Sequence, residues 1–248
     1  MANIIRFDSR PVLKSPYFIE ALPGIGNVGK IAGDFLADAF KAVKFVSIYS
    51  EDLPPQITTD EECVAHLVAN ELWYADIGGR DVVFLRGLSQ GSTAEGQFAL
   101  AQDVVNILLS LNVKRIITLG GYGTGKLVDQ PRVLGAVSDA KLKPELTDYG
   151  VTFVPNEPQG GIVGAAGLLL GLGRVYGIDS CCLMGETSGY FNDYKSAQAV
   201  VGILVKMFAV DPDQKELQDR TAKFEELTAK VKETAADDGK YDSFSYIG

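Results

Sequence analysis

Cysteine and histidine are scarce in this sequence of 248 residues, which contains three cysteines and one histidine. Two of the cysteines, Cys181 and Cys182, are adjacent within an apolar run, which argues against a disulfide framework. Free thiols in such a run behave as small buried hydrophobes, and they indicate a reducing, cytoplasmic compartment. Because His66 is the single histidine, a histidine-dependent catalytic triad would depend on this one residue.

Basic residues and long hydrophobic runs are also in short supply. The 23 lysines and arginines are outnumbered by 32 aspartates and glutamates, which gives a net charge of −9. An acidic surface repels phosphate backbones, so we expect no nucleic-acid partner. The longest apolar stretch, residues 160–173, is shorter than the ~18–20 residues that cross a bilayer, and no N-terminal segment resembles a signal peptide. We therefore expect no membrane partner and a cytoplasmic location.

Short apolar strands alternate with amphipathic helices between Tyr17 and about Ala209. The predicted strands are 18–22, 43–49, 82–86, 115–119, 151–154 and 180–184, and the predicted helices are 27–40, 93–111 and 193–208. Strands that are apolar at nearly every position are typical of a parallel sheet covered on both faces. We predict an α/β fold, a three-layer α/β/α sandwich with a mostly parallel sheet, that forms one domain over residues 1–210.

Three segments depart from this alternation. Residues 62–74 place apolar side chains on both sides of a turn at Ala69-Asn70, which predicts an inserted β-hairpin. A charged helix is predicted over residues 211–236, with a thin apolar seam that packs on the body of the protein or on a second subunit. Residues 237–248 are predicted to form a flexible tail.

Glycine is abundant, and its 27 residues gather in tight groups where predicted strands end. The first group, residues 24–29, has the G-x-G-x-x-G spacing of dinucleotide sites, and Glu51 follows where such a site places a carboxylate. Pro23 at the end of the strand, Glu20 within its apolar run and the hairpin in place of a helix oppose that interpretation. We favour the alternative that these glycines allow a tight turn and a close contact between helix and strand.

The second glycine group, residues 120–126, nearly matches a phosphate-binding P-loop. Leu127 replaces the Ser or Thr that would hold magnesium, and Pro131 follows too soon for the long helix that a P-loop requires. A cradle of backbone amides for an anion or a small ligand stays open. The candidate ligand residues, from these groups and from the group at 185–189, are Gly24, Gly26, Asn27, Gly29, Gly121, Gly123 and Glu186.

No catalytic constellation is visible in the sequence. A G-x-S-x-G nucleophile elbow is missing, and the segment 185–189 comes nearest to it. The paired carboxylates at 60–62 are typical of a solvated charge run, and His and Cys do not have metal-ligand spacing. We therefore expect no catalytic residue, no metal and no cofactor, and we favour a non-enzymatic function.

Four separated segments together resemble a known family. They are ALPGIGNVG at 21–29, the segment 87–97, RIITLGGYG at 115–123, and MGETSGY at 184–190, followed by Asp193 and the helix that contains Ala197. In this order and spacing they resemble the archaeal branch of the proteasome assembly chaperone family over roughly residues 10–210. The resemblance implies a three-layer, phosphorylase- or hydrolase-like fold without the phosphorylase catalytic residues. It also implies homo-oligomers (dimer, trimer or tetramer) that bind proteasome α-subunits during assembly of the core particle.

The resemblance also implies a function for the end of the chain. Some family members end in a hydrophobic–Tyr–any-residue motif, whose carboxylate and aromatic ring dock between α-subunits. The last residues here are Tyr246, Ile247 and Gly248, which put the tyrosine one position too early for that motif. Docking by this tail and a frayed terminus without a partner are both open.

Three functions therefore compete. The leading hypothesis is a non-enzymatic assembly chaperone that binds proteasome α-subunits and assists core-particle assembly as a homo-oligomer. The alternative is a small-molecule- or nucleotide-binding enzyme, phosphorylase-like or ATP-grasp-like, that uses the glycine-rich loops at the carboxyl ends of the strands. A third possibility is a scaffold whose C-terminal helix only pairs subunits.

Overall fold

The computed structural model describes residues 3–223 and residue 226. Within these residues the strands are β1 (Ile4–Phe7), β2 (Tyr17–Ala21), β3 (Val43–Tyr49), β4 (Ile57–Thr59), β5 (Ala65–Leu67), β6 (Asn70–Ile77), β7 (Arg80–Gly87), β8 (Arg115–Gly123), β9 (Val133–Val137) and β10 (Ser180–Thr187). The α-helices are α1 (Val28–Ala39), α2 (Ala94–Ser110), α3 (Lys143–Asp148), α4 (Gly164–Val175) and α5 (Tyr194–Phe208). Short 3-10 turns occur at Ile25–Asn27 and Ala140–Leu142, and residues 215–223 are also helical.

The main sheet has the strand order β1-β3-β6-β7-β2-β8-β10-β9. Strands β7, β2, β8 and β10 at its centre are parallel to one another, and the flanking pairs are antiparallel. The α/β class is confirmed, and the parallel pairing predicted for the sheet applies to its centre. The carboxyl ends of the central strands consequently meet at one edge of the sheet.

Helices cover both faces of this sheet. Helices α1 and α5 pack together on one face, and α2 and α4 pack together on the other. Neighbouring residues of β2 serve the two cores: Phe18 is buried on the α2 side and Ile19 on the α1 side. Burying a side chain of this size contributes about 1.5–3 kcal/mol, so both layers stabilise the sheet. This is the predicted three-layer arrangement.

Two of the helices begin at side chains that satisfy free backbone N–H groups. At the start of α2, Thr93 Oγ1 accepts a hydrogen bond from the N–H of Gly96 at 3.1 Å. At the start of α5, Asp193 Oδ1 accepts one from the N–H of Ser196 at 2.9 Å. The first turn of a helix leaves such groups without a partner, so these residues fix where the two helices begin.

Two strand predictions are wrong in detail. Residues 151–154 form an isolated bridge between Thr152 and Leu134, because β9 occupies the position beside β10. The predicted turn at Ala69-Asn70 separates two sheets, since β5 pairs with β4 whereas β6 pairs with β3 and β7. The inserted hairpin is therefore formed by β4 and β5, around a turn at residues 60–64.

The sequence prediction contains no counterpart of α4, which begins within the glycine-rich stretch 160–173 and ends at Val175. Each interior glycine costs a helix about 1 kcal/mol, and the N-cap residue Val163 offers no side-chain hydrogen bond. Gln90 Oε1, 75 residues away in the sequence, accepts the hydrogen bond from the N–H of Ala165 at 2.9 Å instead. Over the part of the chain that the structure describes, neither α4 nor another helix combines the length and apolar character needed to span a membrane.

The burial predicted for Cys181 and Cys182 is confirmed. Cys181 and Cys182 are free and buried in β10, and burial raises the pKa of both thiols to about 12. Cys63 is free and exposed in the turn between β4 and β5. His66 lies on the exposed strand β5, where its Nε2 is 2.8 Å from Asp60 Oδ2.

The first two glycine groups pack against each other through backbone atoms. A Cβ on Gly29 would lie 2.5 Å from the carbonyl oxygen of Leu119, and a Cβ on Gly121 would lie 2.2 Å from that of Ile25. Backbone atoms cannot move aside as the end of a flexible side chain can, so both positions require glycine. The favoured interpretation of the first group, a close contact between helix and strand, is confirmed.

Replacing Gly29 by alanine is expected to lower the free energy of unfolding by about 1–3 kcal/mol, because the new methyl group meets a fixed carbonyl. Gly171→Ala in α4 is the matched control. A Cβ there meets no atom within 4 Å, so the substitution should stabilise the protein by up to about 1 kcal/mol. Urea denaturation of both variants measures the difference. If both substitutions changed the free energy of unfolding equally, the close contact between Gly29 and the carbonyl of Leu119 would be contradicted.

Candidate functional site

A cleft of about 1010 Å³ opens at the carboxyl ends of the parallel strands, on the face covered by α2 and α4. The ends of β2, β8 and β10 form its floor, and residues 88–92 and 157–164 form its walls. Open parallel sheets bind ligands at this edge, because the connections after several strands converge there. The cleft is therefore the candidate functional site.

Glu20 lies on the floor of the cleft and is only 1% exposed. Its Oε1 accepts a hydrogen bond from the N–H of Leu22 at 2.9 Å, and its Oε2 accepts one from the N–H of Leu119 at 3.3 Å. Burial raises the pKa of Glu20 to about 7, although the two N–H groups oppose this shift by stabilising the charged form. The fold therefore favours the protonated form of this carboxyl group more than water does.

Glu20 belongs to a row of three side chains across adjacent strands. Thr118 pairs with Glu20 in the register of β2 and β8, and Cys182 pairs with Thr118 in the register of β8 and β10. Paired residues on neighbouring strands share one face of a sheet, and all three side chains are buried. The Thr118 hydroxyl faces the Cys182 thiol, and this weak hydrogen bond partly opposes the rise that burial causes in the pKa of Cys182. Of the three residues, Glu20 and Cys182 line the cleft.

Gln90 connects two sides of the cleft. Its Nε2 donates a hydrogen bond to the carbonyl oxygen of Pro23 at 2.7 Å, while its Oε1 accepts the bond from Ala165 already described. One side chain thereby holds both the turn after β2 and the first turn of α4. The shape of the cleft depends on this residue.

A second carboxylate, that of Glu157, stands on the wall of the cleft. Its Oε2 accepts hydrogen bonds from the Tyr122 hydroxyl at 2.7 Å and from the N–H of Gln159 at 3.1 Å. The hydrogen bond to Glu157 raises the pKa of Tyr122. Among the described residues that line the cleft there is no lysine, arginine or histidine. The cleft is therefore acidic.

The described residues contain no set of metal ligands, either in the cleft or elsewhere. Within that part of the chain, no three His, Cys, Asp or Glu side chains are grouped so that they could hold an ion. The acidic, partly apolar walls instead suit an organic molecule, since such pockets combine apolar area with a few fixed polar groups.

The sequence signature of the PAC2 family matches residues 18–232, which is most of the chain. This chain is a member of the PAC2 family. A relative of this chain from Methanocaldococcus jannaschii, an uncharacterized protein, is 34% identical over 220 residues. The aligned region covers 89% of this chain and 84% of that relative.

Two solved structures from Pyrococcus furiosus are similar to this PAC2 chain. PbaB, described as an archaeal proteasome activator, superposes with a TM-score of 0.85 at 35% identity, over 93% of this chain and 99% of PbaB. PbaA, described as an archaeal homolog of proteasome-assembly chaperone, superposes with a TM-score of 0.76 at 25% identity, over 97% of this chain and 95% of PbaA. The resemblance to the proteasome assembly chaperone family, based on four separated segments, is confirmed.

Three of the predicted ligand residues of this PAC2 chain line the cleft, namely Gly24, Gly121 and Gly123. Gly121 and Gly123 were expected in a loop, but they belong to β8, which stays paired with β10 as far as Gly123. A P-loop requires a strand, a loop and a helix in succession, so the second glycine group does not have P-loop geometry. Ligand binding by these three glycines stays a prediction.

Three other predicted ligand residues lie outside the lining of the cleft. Gly26 packs against Thr187, since a Cβ on it would lie 2.8 Å from the threonine hydroxyl. Asn27 donates a hydrogen bond from Nδ2 to Asn192 Oδ1 at 2.7 Å. Gly29 packs on β8 as described above. These residues shape the turn that borders the cleft.

The remaining predicted site residues have different positions. Glu186 is paired with Arg132: Glu186 Oε2 accepts hydrogen bonds from the backbone N–H and from Nε of Arg132, both at 3.0 Å. The hydrogen bond from Arg132 lowers the pKa of Glu186. The positive charge of Arg132 thus balances the negative charge of this carboxylate. The predicted tail residues lie outside the described residues; they are Tyr246, Ile247 and Gly248.

Sequence reasoning did not identify Glu20, Gln90 or Glu157 as site residues. For Glu20 a signal was present, because a charged residue within an apolar, buried strand needs a special environment. The sequence around Gln90 and Glu157 gives no sign of a site, because both residues lie in connecting segments. Only the fold of the whole chain brings them to the cleft.

Glu20 should make stability depend on pH. Its pKa of about 7 exceeds the ordinary 4.5, so the folded state holds the proton more tightly than the unfolded chain does. This contribution to the free energy of unfolding is fully present below about pH 4.5, and it is lost as the pH rises through 7. Glu20→Gln should remove this decline, which amounts to up to about 3 kcal/mol.

Urea denaturation of the unmodified chain and of Glu20→Gln at pH 5 and pH 8 measures this contribution. Glu61→Gln, at an exposed position in the β4–β5 turn, is the control and should keep the decline. If Glu20→Gln and Glu61→Gln lost stability equally between the two pH values, the assignment to Glu20 would be wrong.

Proposed function

We propose that this chain is a non-enzymatic assembly chaperone that binds proteasome α-subunits as a homo-oligomer. The observation that carries the proposal is the likeness to PbaB and PbaA, which extends over at least 93% of this chain. A likeness of this extent includes the connections at the strand ends as well as the buried core. The surface segments of these proteins are therefore part of the comparison.

An apolar surface beside the cleft supports protein binding. Tyr190 is 73% exposed and Phe191 is 53% exposed after β10, and Ile25 is 48% exposed after β2. We call these three residues the apolar rim. Their turns are connected, because the N–H of Asp193 donates to the carbonyl oxygen of Gly26 at 2.9 Å. Exposed aromatic side chains of this kind often dominate protein interfaces, so we infer that the apolar rim contacts the α-subunits.

The last three residues are a second proposed contact. An aromatic ring near a free C-terminal carboxylate can be recognised by a preformed pocket on a partner. We infer that Tyr246 supplies the ring of this contact, together with Ile247 and Gly248. This part of the proposal depends on the sequence, because these residues lie outside the described part of the chain.

A cytoplasmic, homo-oligomeric state is part of the same proposal. The free, buried thiols of Cys181 and Cys182 and the free, exposed thiol of Cys63 suit a reducing compartment. Light scattering coupled to size-exclusion chromatography gives the subunit number of the full chain.

The sequence identity of 35% with PbaB, which is described as an archaeal proteasome activator, favours a second candidate function. In this function the chain activates the assembled proteasome. A chaperone acts on free α-subunits before the core particle is complete, whereas an activator acts on the complete particle. The two functions therefore require different forms of the same partner, and one experiment can separate them.

Binding of the full chain to free archaeal α-subunits should be detectable at micromolar concentration. Deletion of residues 246–248 or the substitution Tyr190→Ser should weaken it at least about tenfold, which corresponds to about 1.4 kcal/mol. Val175→Ser removes a side chain that is 77% exposed at the end of α4, and this control should bind like the full chain. Surface plasmon resonance with immobilised α-subunits measures all four proteins.

Three outcomes decide between the candidates. Absence of binding to free α-subunits, with or without the last three residues, overturns the chaperone proposal. Faster peptide hydrolysis by assembled core particles, without binding to free α-subunits, supports the activator. Faster assembly of core particles at an unchanged peptide hydrolysis rate supports the chaperone.

A further inference from the structure

The cleft contains a buried carboxyl group without a counter-ion. Glu20 is 1% exposed, and within the described residues its hydrogen-bond donors are backbone N–H groups. The described lining of the cleft includes no basic side chain. Buried carboxylates are ordinarily paired with a cation, because removing the charge from water is unfavourable. The charge on Glu20 is therefore incompletely compensated by the protein.

We propose that the cleft binds a small organic cation, an amine or a guanidinium on a short aliphatic body, whose charged nitrogen pairs with Glu20. Each carboxylate oxygen accepts one backbone hydrogen bond, and each has capacity for another. An N–H donor that carries a positive charge forms a stronger bond to carboxylate than a neutral donor does. The ligand thus supplies the countercharge that the cleft lacks.

The charge of the cleft distinguishes this class of ligand from phosphate-bearing molecules. Glu20 and Glu157 both line it, and the described lining offers no lysine or arginine to balance a phosphate. A nucleotide would meet repulsion from both carboxylates, and the second glycine group lacks P-loop geometry. The nucleotide-binding alternative is therefore less compatible with the cleft than an organic cation is.

The remaining walls suit the aliphatic body of such a ligand. Leu22, Ile162 and Met184 line the cleft beside the polar groups, and they provide apolar contact area. The volume of about 1010 Å³ is within the range of small-molecule sites.

Calorimetric titration of the full chain with n-butylguanidinium and with agmatine tests the proposal. Both probes should bind, whereas n-butanol and AMP should not, because they lack the cation. Glu20→Gln should weaken the binding of both probes at least about tenfold. Glu61→Gln removes the same charge from the exposed β4–β5 turn and should leave the affinity unchanged.

The pH dependence of binding provides a readout that needs no variant. Guanidinium stays charged at every pH used, but Glu20, with a pKa near 7, must release its proton to pair with it. Affinity should therefore rise about tenfold between pH 6 and pH 8. Titration in two buffers of different ionisation enthalpy should show net proton release at pH 7.

Several results would overturn this inference. They are absence of binding by both guanidinium probes at millimolar concentration, equal affinity for Glu20→Gln, affinity independent of pH, or preferential binding of AMP. The proposed chaperone function would be unaffected, because α-subunit binding is measured separately with different variants.

Discussion

The backbone contact between residues 24–29 and residues 119–123 determines how the sheet edge is built. Gly29 lies against the carbonyl of Leu119, and Gly121 leaves room for the carbonyl of Ile25. The turn after β2 consequently lies directly on β8, and α1 starts immediately above the sheet. This places the carboxyl ends of β2 and β8 in one opening. The position of the cleft therefore follows from two close backbone contacts. At Gly29 and at Gly121 these contacts leave no room for a side chain.

The same contact explains why the glycine motifs are ambiguous in the sequence. A phosphate group and a neighbouring backbone both require that a Cβ be absent, so the spacing of glycines alone cannot distinguish them. Gly24, Gly121 and Gly123 line the cleft as predicted site residues, while Gly26 and Gly29 serve packing. The residues that do not fit a nucleotide-binding motif were more informative than the glycines. One of them is Glu20, a charged residue within an apolar strand.

Most of the central fold could be predicted because its elements carry local signals. Strands β2, β3, β7, β8 and β10 are apolar runs, and α1, α2 and α5 have apolar faces, so prediction and structure agree there. Helix α4 could not be predicted in this way, because its first turn is capped by Gln90 from a distant segment. Residues 151–154 lie beside β9, but they pair with it through a single bridge from Thr152 to Leu134 and so do not form a strand of their own. Contacts between segments that are distant in the sequence therefore determine the elements that local sequence patterns do not predict.

The distribution of thiols has a consequence for covalent chemistry at the surface. All three cysteines are described, and Cys63 in the β4–β5 turn is the exposed one. Burial keeps the thiols of Cys181 and Cys182 protonated, whereas alkylation and disulfide exchange both require a thiolate. A disulfide between two copies would therefore connect them hairpin to hairpin. A spectroscopic label would attach at the same single point, and because no residue of that hairpin lines the cleft, the cleft would stay open.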